Sequence, residues 1–190
     1  MSKNIILCGV GGQGTILASR LIASACMKKD LEIKTAETIG MAQRGGSVFS
    51  HLRIGEDART PLIAKGEADL IIGFEPGETV RLLPFLKKDG AVVVSNSPVM
   101  PVSAMIGKSS YDPEEMISYL REKVKKLMVV DAKRAADELG SAKTLNVVLL
   151  GAAVKSGELG LSGQDIEQAM NERIPAKFQE LNRKSLNWFS

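Results

Sequence analysis

Few residues in this chain have the type and spacing to do chemistry, and most of them are glycines. Gly9, Gly11, Gly12 and Gly14 surround Val10 and Gln13 and lead into Thr15. Gly9, Gly11 and Gly14 match the glycine spacing of the dinucleotide fingerprint. Such glycines permit a tight turn, close approach of the backbone to a ligand, and close packing of helix on strand. The helix that follows would offer unpaired N–H groups to an anion. The competing reading is that the glycines only turn the chain. A second glycine-rich stretch, Gln43-Arg44-Gly45-Gly46, sets a planar cation beside two glycines. Arg44 there suits a carboxylate or a phosphate, although a surface loop with a solvated arginine explains the same residues. Glu37 lies where an acidic residue could hold ribose hydroxyls.

Other chemistries are poorly served. Cys8 and Cys26 are the only cysteines and His51 the only histidine. A zinc site or an iron–sulfur cluster ligated by this chain alone is therefore not expected. Both cysteines read as core fillers, and His51 as a structural hydrogen-bonding residue. The formal net charge of +3 comes from 25 basic and 22 acidic residues, and no basic run is interleaved with aromatics. Nucleic acid is not an expected partner. No apolar stretch reaches the ~20 residues of a membrane span. Met1-Ser2-Lys3-Asn4 runs directly into a strand pattern, so no signal peptide is expected and the protein reads as cytoplasmic.

The elements that position these residues alternate between strand and helix. Ile5 to Cys8 predicts a strand buried on both faces, and Leu17, Ala18, Leu21, Ile22 and Ala25 predict a helix. Leu31 to Thr35 follows as a second strand, completing a crossover unit. Val48 to Ile54 alternates, and Thr60 to Ile63 suggests an antiparallel return. Asp69 to Phe74, Ala91 to Val94 and Leu127 to Val130 predict further strands. The helix after Glu75 carries Val80, Leu82, Leu83 and Leu86 and is shortened by Pro84. A long loop from Ser95 to Ser110 includes Val99, Met100, Met105 and Ile106, which suit either a docking surface or the core. Asp112-Pro113 starts a helix. The rest is helical, with Leu145, Val148, Leu149 and Ala152 on one face. The expected fold is one α/β domain over residues 1–190: three-layer and Rossmann-like, with a mixed, mostly parallel sheet and a helical C-terminal segment.

Taken together, the stretches Gly9–Thr15 and Gly40–Ser47, Asp69-Leu70-Ile71-Ile72-Gly73, and Ile174–Asn182 resemble a known family. The chain is similar to the gamma-type subunit of 2-oxoacid:ferredoxin oxidoreductases, with the strongest likeness to the beta subunit of the indolepyruvate ferredoxin oxidoreductases. The resemblance implies oxidative decarboxylation of a 2-oxoacid on thiamine diphosphate, electrons passing through iron–sulfur clusters to ferredoxin, and acyl-coenzyme A as product. Thiamine diphosphate and the clusters would sit in a partner subunit. This chain would bind none of them alone and would form or cover part of the active site, with coenzyme A at the interface. The same resemblance points to Gly9, Gly11, Gly12, Gln13, Gly14, Thr15, Gln43, Arg44, Gly45 and Gly46 as the residues facing it. Gln43, where the family often has an acidic residue, favours an arylpyruvate over pyruvate. Two alternatives stand beside this reading: a nicotinamide-dependent dehydrogenase, and a nucleotide- or coenzyme A-binding module without a partner. Whether the isolated chain forms a homodimer is left open by the sequence.

Overall fold

Alternation along the strands decides the layers. In β1 (Lys3–Val10), Ile5 and Leu7 face one side of the sheet, Ile6 and Cys8 the other, and all four are fully buried. Such a strand must be covered on both faces. The computed structural model describes residues 2–38, 46–56, 59–107 and 110–189. Its other strands are β2 (Ile33–Glu37), β3 (Ser47–Ile54), β4 (Ala68–Gly73), β5 (Leu86–Ser95) and β6 (Lys126–Val130). They form a six-stranded sheet in the order β2-β3-β1-β4-β5-β6. β1, β4, β5 and β6 run parallel, and β3 is antiparallel to both β1 and β2.

The sheet is mixed for a different reason from the one the sequence suggested. Thr60 to Ile63 forms no strand. β3 itself enters between β1 and β2, pairing with β1 from Lys3↔Ile54 to Val10↔Ser47. Pro61 has no N–H to give a ladder, and the chain there is held by side chains instead. The Ile63 N–H donates to His51 Nδ1 at 3.1 Å, and Arg53 donates to the Leu62 carbonyl at 3.3 Å. β1 and β2 are therefore not neighbours.

The helices are α1 (Thr15–Lys28), α2 (Pro76–Leu82), a one-turn α3 (Val102–Met105), α4 (Pro113–Lys123), α5 (Ala132–Leu139), α6 (Leu145–Lys155), α7 (Gly163–Arg173) and α8 (Ala176–Leu186). Leu82 of α2 and Ile117 and Leu120 of α4 pack on the face that carries Ile6, Cys8 and Val92. α1, α5, α6, α7 and α8 contribute to the core on the other face. The result is three layers. Pro84 ends α2 early: Leu83–Phe85 tightens into a 3-10 turn, and Leu86 already belongs to β5. Asp112 caps α4 as its sequence suggests, its Oδ1 accepting from the Glu114 N–H at 2.9 Å.

α6 departs most from its expected pattern. In place of one apolar face, every residue from Asn146 to Ala153 is buried. The sheet lies on one side and other helices on the rest, so the helix is apolar all round. Gly151 marks its closest approach to α8, where an added Cβ would press into the Leu186 carbonyl oxygen. Gly151→Ala gains ~1 kcal/mol of helix propensity but overpacks against backbone, which costs about 1–3 kcal/mol. Because a main-chain carbonyl cannot swing aside as a side chain can, the overpacking wins. The expected outcome in a thermal melt followed by circular dichroism is a Tm lowered by roughly 2–8 °C. An unchanged Tm would mean that α8 yields freely.

Candidate functional site

The glycine loop leaves the carboxyl end of β1, where α1 departs to one face of the sheet, while the neighbouring β4 sends α2 to the other. Between two such strands a crevice opens, the usual ligand position in doubly wound sheets. Here Gln13 fills it. Its Oε1 accepts from the Val10 N–H at 2.7 Å, and its Nε2 donates to the Phe74 carbonyl at 3.0 Å. Gly9 is required by this arrangement, since a Cβ there would lie 2.7 Å from both Gln13 Oε1 and Phe74 Cβ. Gly12 and Gly14 have φ of 102° and 84°, a region that favours glycine. Gly14 stands at the N-cap of α1, and Thr15 is buried in the first turn.

The two glycine stretches meet. The Gly11 N–H donates to the Gly46 carbonyl at 2.9 Å. Gln43, Arg44 and Gly45 lie outside the described residues. Glu37 does not join the loop: β3 intervenes between β1 and β2, and the Glu37 carboxylate accepts from Ser19 on α1 at 3.2 Å. An acidic residue that attracts no notice in the sequence lies nearer. Glu75 is 2% exposed. It caps α2 through the Glu78 N–H at 2.8 Å and accepts from the Tyr111 hydroxyl. Burial, then the bond to Glu75, pushes the Tyr111 phenol up, so it stays protonated as the donor. Glu78 in turn accepts from Ser47 at 2.6 Å, which ties the start of β3 to α2.

Beside the loop, towards β5 and β6, lies a cavity of about 540 Å³. Its lining includes Gly12, Gln13, Asn96, Lys133, Lys143 and Asn146. The last four carry no motif. Asn146 leaves one trace in the sequence, as a lone polar residue in the apolar run that becomes α6. Met100, Met105 and Ile106, ambiguous in sequence, are exposed.

The redox-active side chains are shut away. Cys8 belongs to the core on one face of the sheet and Cys26 to the core on the other, so they cannot share a metal ion. Burial pushes the Cys8 thiol up to about 12 and the Cys26 thiol up to about 11, which keeps both protonated. Among the described residues no group of three His, Cys, Asp or Glu could hold a metal ion. Among the described residues no helix is long and apolar enough to cross a membrane.

Comparison with known proteins places the whole chain. The sequence profile of the family described as pyruvate ferredoxin/flavodoxin oxidoreductase matches residues 4–189. The indolepyruvate oxidoreductase subunit IorB of Archaeoglobus fulgidus is 40% identical over 187 residues, covering 98% of this chain and 92% of that one. The common subunit gamma of the pyruvate/ketoisovalerate oxidoreductases of Pyrococcus abyssi is 29% identical over 179 residues, 93% of this chain and 89% of its own. The crystal structure of the gamma subunit of a keto/oxoacid ferredoxin oxidoreductase from Geobacter sulfurreducens superimposes with a TM-score of 0.70 at 24% identity. It covers 97% of this chain and 94% of that chain, and shows a shared fold.

His51 has the structural role expected of it. It is buried between Phe49 and Phe85, its Nδ1 occupied by the Ile63 N–H. Burial lowers its pKa below the ordinary 6.5. Protonation is therefore easier in the unfolded chain, and folding stability falls as pH drops below about 6.5. Chemical denaturation is expected to show lower stability at pH 5 than at pH 7. His51→Gln should be less stable at pH 7 and should flatten the dependence. A slope unchanged by the substitution would assign it to other groups.

Proposed function

This chain belongs to the pyruvate ferredoxin/flavodoxin oxidoreductase family, and from that premise we infer that it serves as a subunit of a 2-oxoacid:ferredoxin oxidoreductase, acting in a complex rather than alone. The observation that carries the division of labour is the inertness of its own redox-capable groups. Both thiols are buried and protonated on opposite faces, and the single histidine is buried with one ring nitrogen engaged. Decarboxylation and electron transfer then fall to a partner subunit holding thiamine diphosphate and iron–sulfur clusters, with ferredoxin as acceptor. The identity of 40% to a subunit named for indolepyruvate supports an arylpyruvate substrate. Residues 1–190 act as one domain, in the cytoplasm, where a reducing environment suits two free cysteines.

On this reading the glycine loop, with Gly46 joined to it, and the exposed Met100, Met105 and Ile106 serve contact with the partner and with coenzyme A, and Arg44 acts at the active site. The contact of Gly11 with Gly46 supports this by joining the two stretches. A nicotinamide dehydrogenase would need the crevice that Gln13 occupies.

The test is reconstitution. The chain alone, given thiamine diphosphate, coenzyme A and a viologen dye, is expected to turn over no 2-oxoacid. Co-expressed with its partner it should co-purify and oxidise indolepyruvate faster than pyruvate. Arg44→Ala should still assemble but lose turnover by about tenfold or more, as expected when a charged hydrogen bond is removed. Turnover by the isolated chain would overturn the subunit reading. Wild-type rates for the assembled variant would remove Arg44 from the active site.

A further inference from the structure

Two stretches far apart in sequence are fastened to one turn of helix. Glu75 and Glu78 stand at the start of α2. Ser47 donates to Glu78 at 2.6 Å, and its neighbour Gly46 is joined to Gly11. The Tyr111 hydroxyl donates to Glu75, just beyond the segment that carries the exposed Met100, Met105 and Ile106. The first turn of α2 thus brings that segment alongside the two joined glycine stretches.

The seat of Tyr111 is built on both sides. Glu75 is buried, and its two carboxylate oxygens divide the work: one accepts from the Glu78 N–H at 2.8 Å, the other from Tyr111. The Tyr111 oxygen also accepts from the Gly77 N–H at 3.4 Å. Gly77 leaves room for the ring, since a Cβ there would lie 2.9 Å from Tyr111 Cε2. Gly77 lies within α2 and is not one of the glycines with positive φ, so no turn asks for it. Glycine weakens a helix relative to alanine. At this position it trades helix stability for the seat of the tyrosine.

The segment itself has few other holds. Asn96 fixes its near end: its N–H donates to the Val130 carbonyl at 3.0 Å, and its side-chain oxygen accepts from the Ala132 N–H at 3.0 Å. From Pro98 to Gly107 the hydrogen bonds among the described residues are internal, from Ala104 and Met105 to Pro101 and from Gly107 to Ala104. Met100, Met105 and Ile106 belong to neither core cluster. What fixes their arrangement is the anchoring of the two ends.

We propose that Tyr111 is a positioning residue: seated on Glu75 and Gly77, it holds the Met100–Ile106 segment in the arrangement that the partner subunit binds. The proposal rests on the subunit reading above. A surface that is competent only part of the time binds more weakly by that fraction, so the anchor sets the affinity of assembly and not the chemistry.

The test uses the full chain and its purified complex, with two variants that spoil the seat from opposite sides. Tyr111→Phe keeps the ring and removes the hydroxyl. Gly77→Ala keeps both bonding groups, favours the helix and pushes the ring away. In the isolated chain, amide exchange at Met105 and Gly107 is expected to quicken by about tenfold in each variant. Each variant complex, followed by light scattering on dilution, is expected to dissociate at an about tenfold higher concentration, the loss of one hydrogen bond to a charged group. Turnover per assembled complex should stay at the wild-type value. A merely structural tyrosine would lower the Tm and leave the dissociation point where it was, which overturns the proposal. Unchanged exchange in both variants overturns it as well. If the wild-type chain formed no complex at all, the subunit reading would fall and the proposal with it. One dissociation point shared by wild type and variants sinks the proposal alone.

Discussion

One carboxamide spans the gap between β1 and β4. A sheet that sends successive helices to opposite faces must part its strands somewhere, and at that seam an N–H and a C=O lose their ladder partners. An unmade bond of this kind costs about 1–3 kcal/mol for each buried group. Gln13 meets both groups at once, the Val10 N–H and the Phe74 carbonyl. Much of the local sequence follows from that bridge. Gly9 can have no side chain, because Gln13 and Phe74 occupy its place. The loop must double back within a few residues, which puts Gly12 and Gly14 in left-handed geometry. The α1 amino terminus then opens beside the seam, towards α6, and the free space lies off the strand junction.

Local features of the sequence translated well where the controlling contact was local. β1, β4 and the later half of β5 announce themselves as continuous apolar runs because both faces are covered. Asp112, Ser162 and Gly140 mark helix ends through bonds to residues a few positions away. The place of β3 was hidden because pairing partners are chosen in space. Its alternating pattern fits an outer position as well as the one between β1 and β2. The strand expected over Ala91 to Val94 begins as early as Leu86, through Lys87, Lys88 and Asp89, whose side chains stay exposed and so give no apolar signal.

The same distinction governs the site. The glycine spacing was visible, and it marked the loop that leads from β1 into α1. What the loop does with its own groups depended on Gln13, whose side chain has no propensity signature for bridging strands. Asn146 and Tyr111 come from far along the chain. They reach the loop and Glu75 only because α6 and the segment before α4 pack where they do. Buried polar partners of this kind are the part of a site that residue types alone conceal, since each residue is unremarkable until its neighbour is known.

α6 also sets an order on the making of the protein. The strands of the central sheet are complete by Val130, but the face holding Ile5, Leu7, Leu70 and Ile72 is closed by α1 together with α6, on which α7 and α8 pack. A ribosome that has released the chain only as far as β6 has therefore released a sheet whose apolar side is covered by α1 at one end and open at the other. Until the last helices emerge, the nascent chain presents a surface that other unfinished chains, or a chaperone, can bind. The most sheltered helix of the finished molecule is thus one of the last to find its shelter.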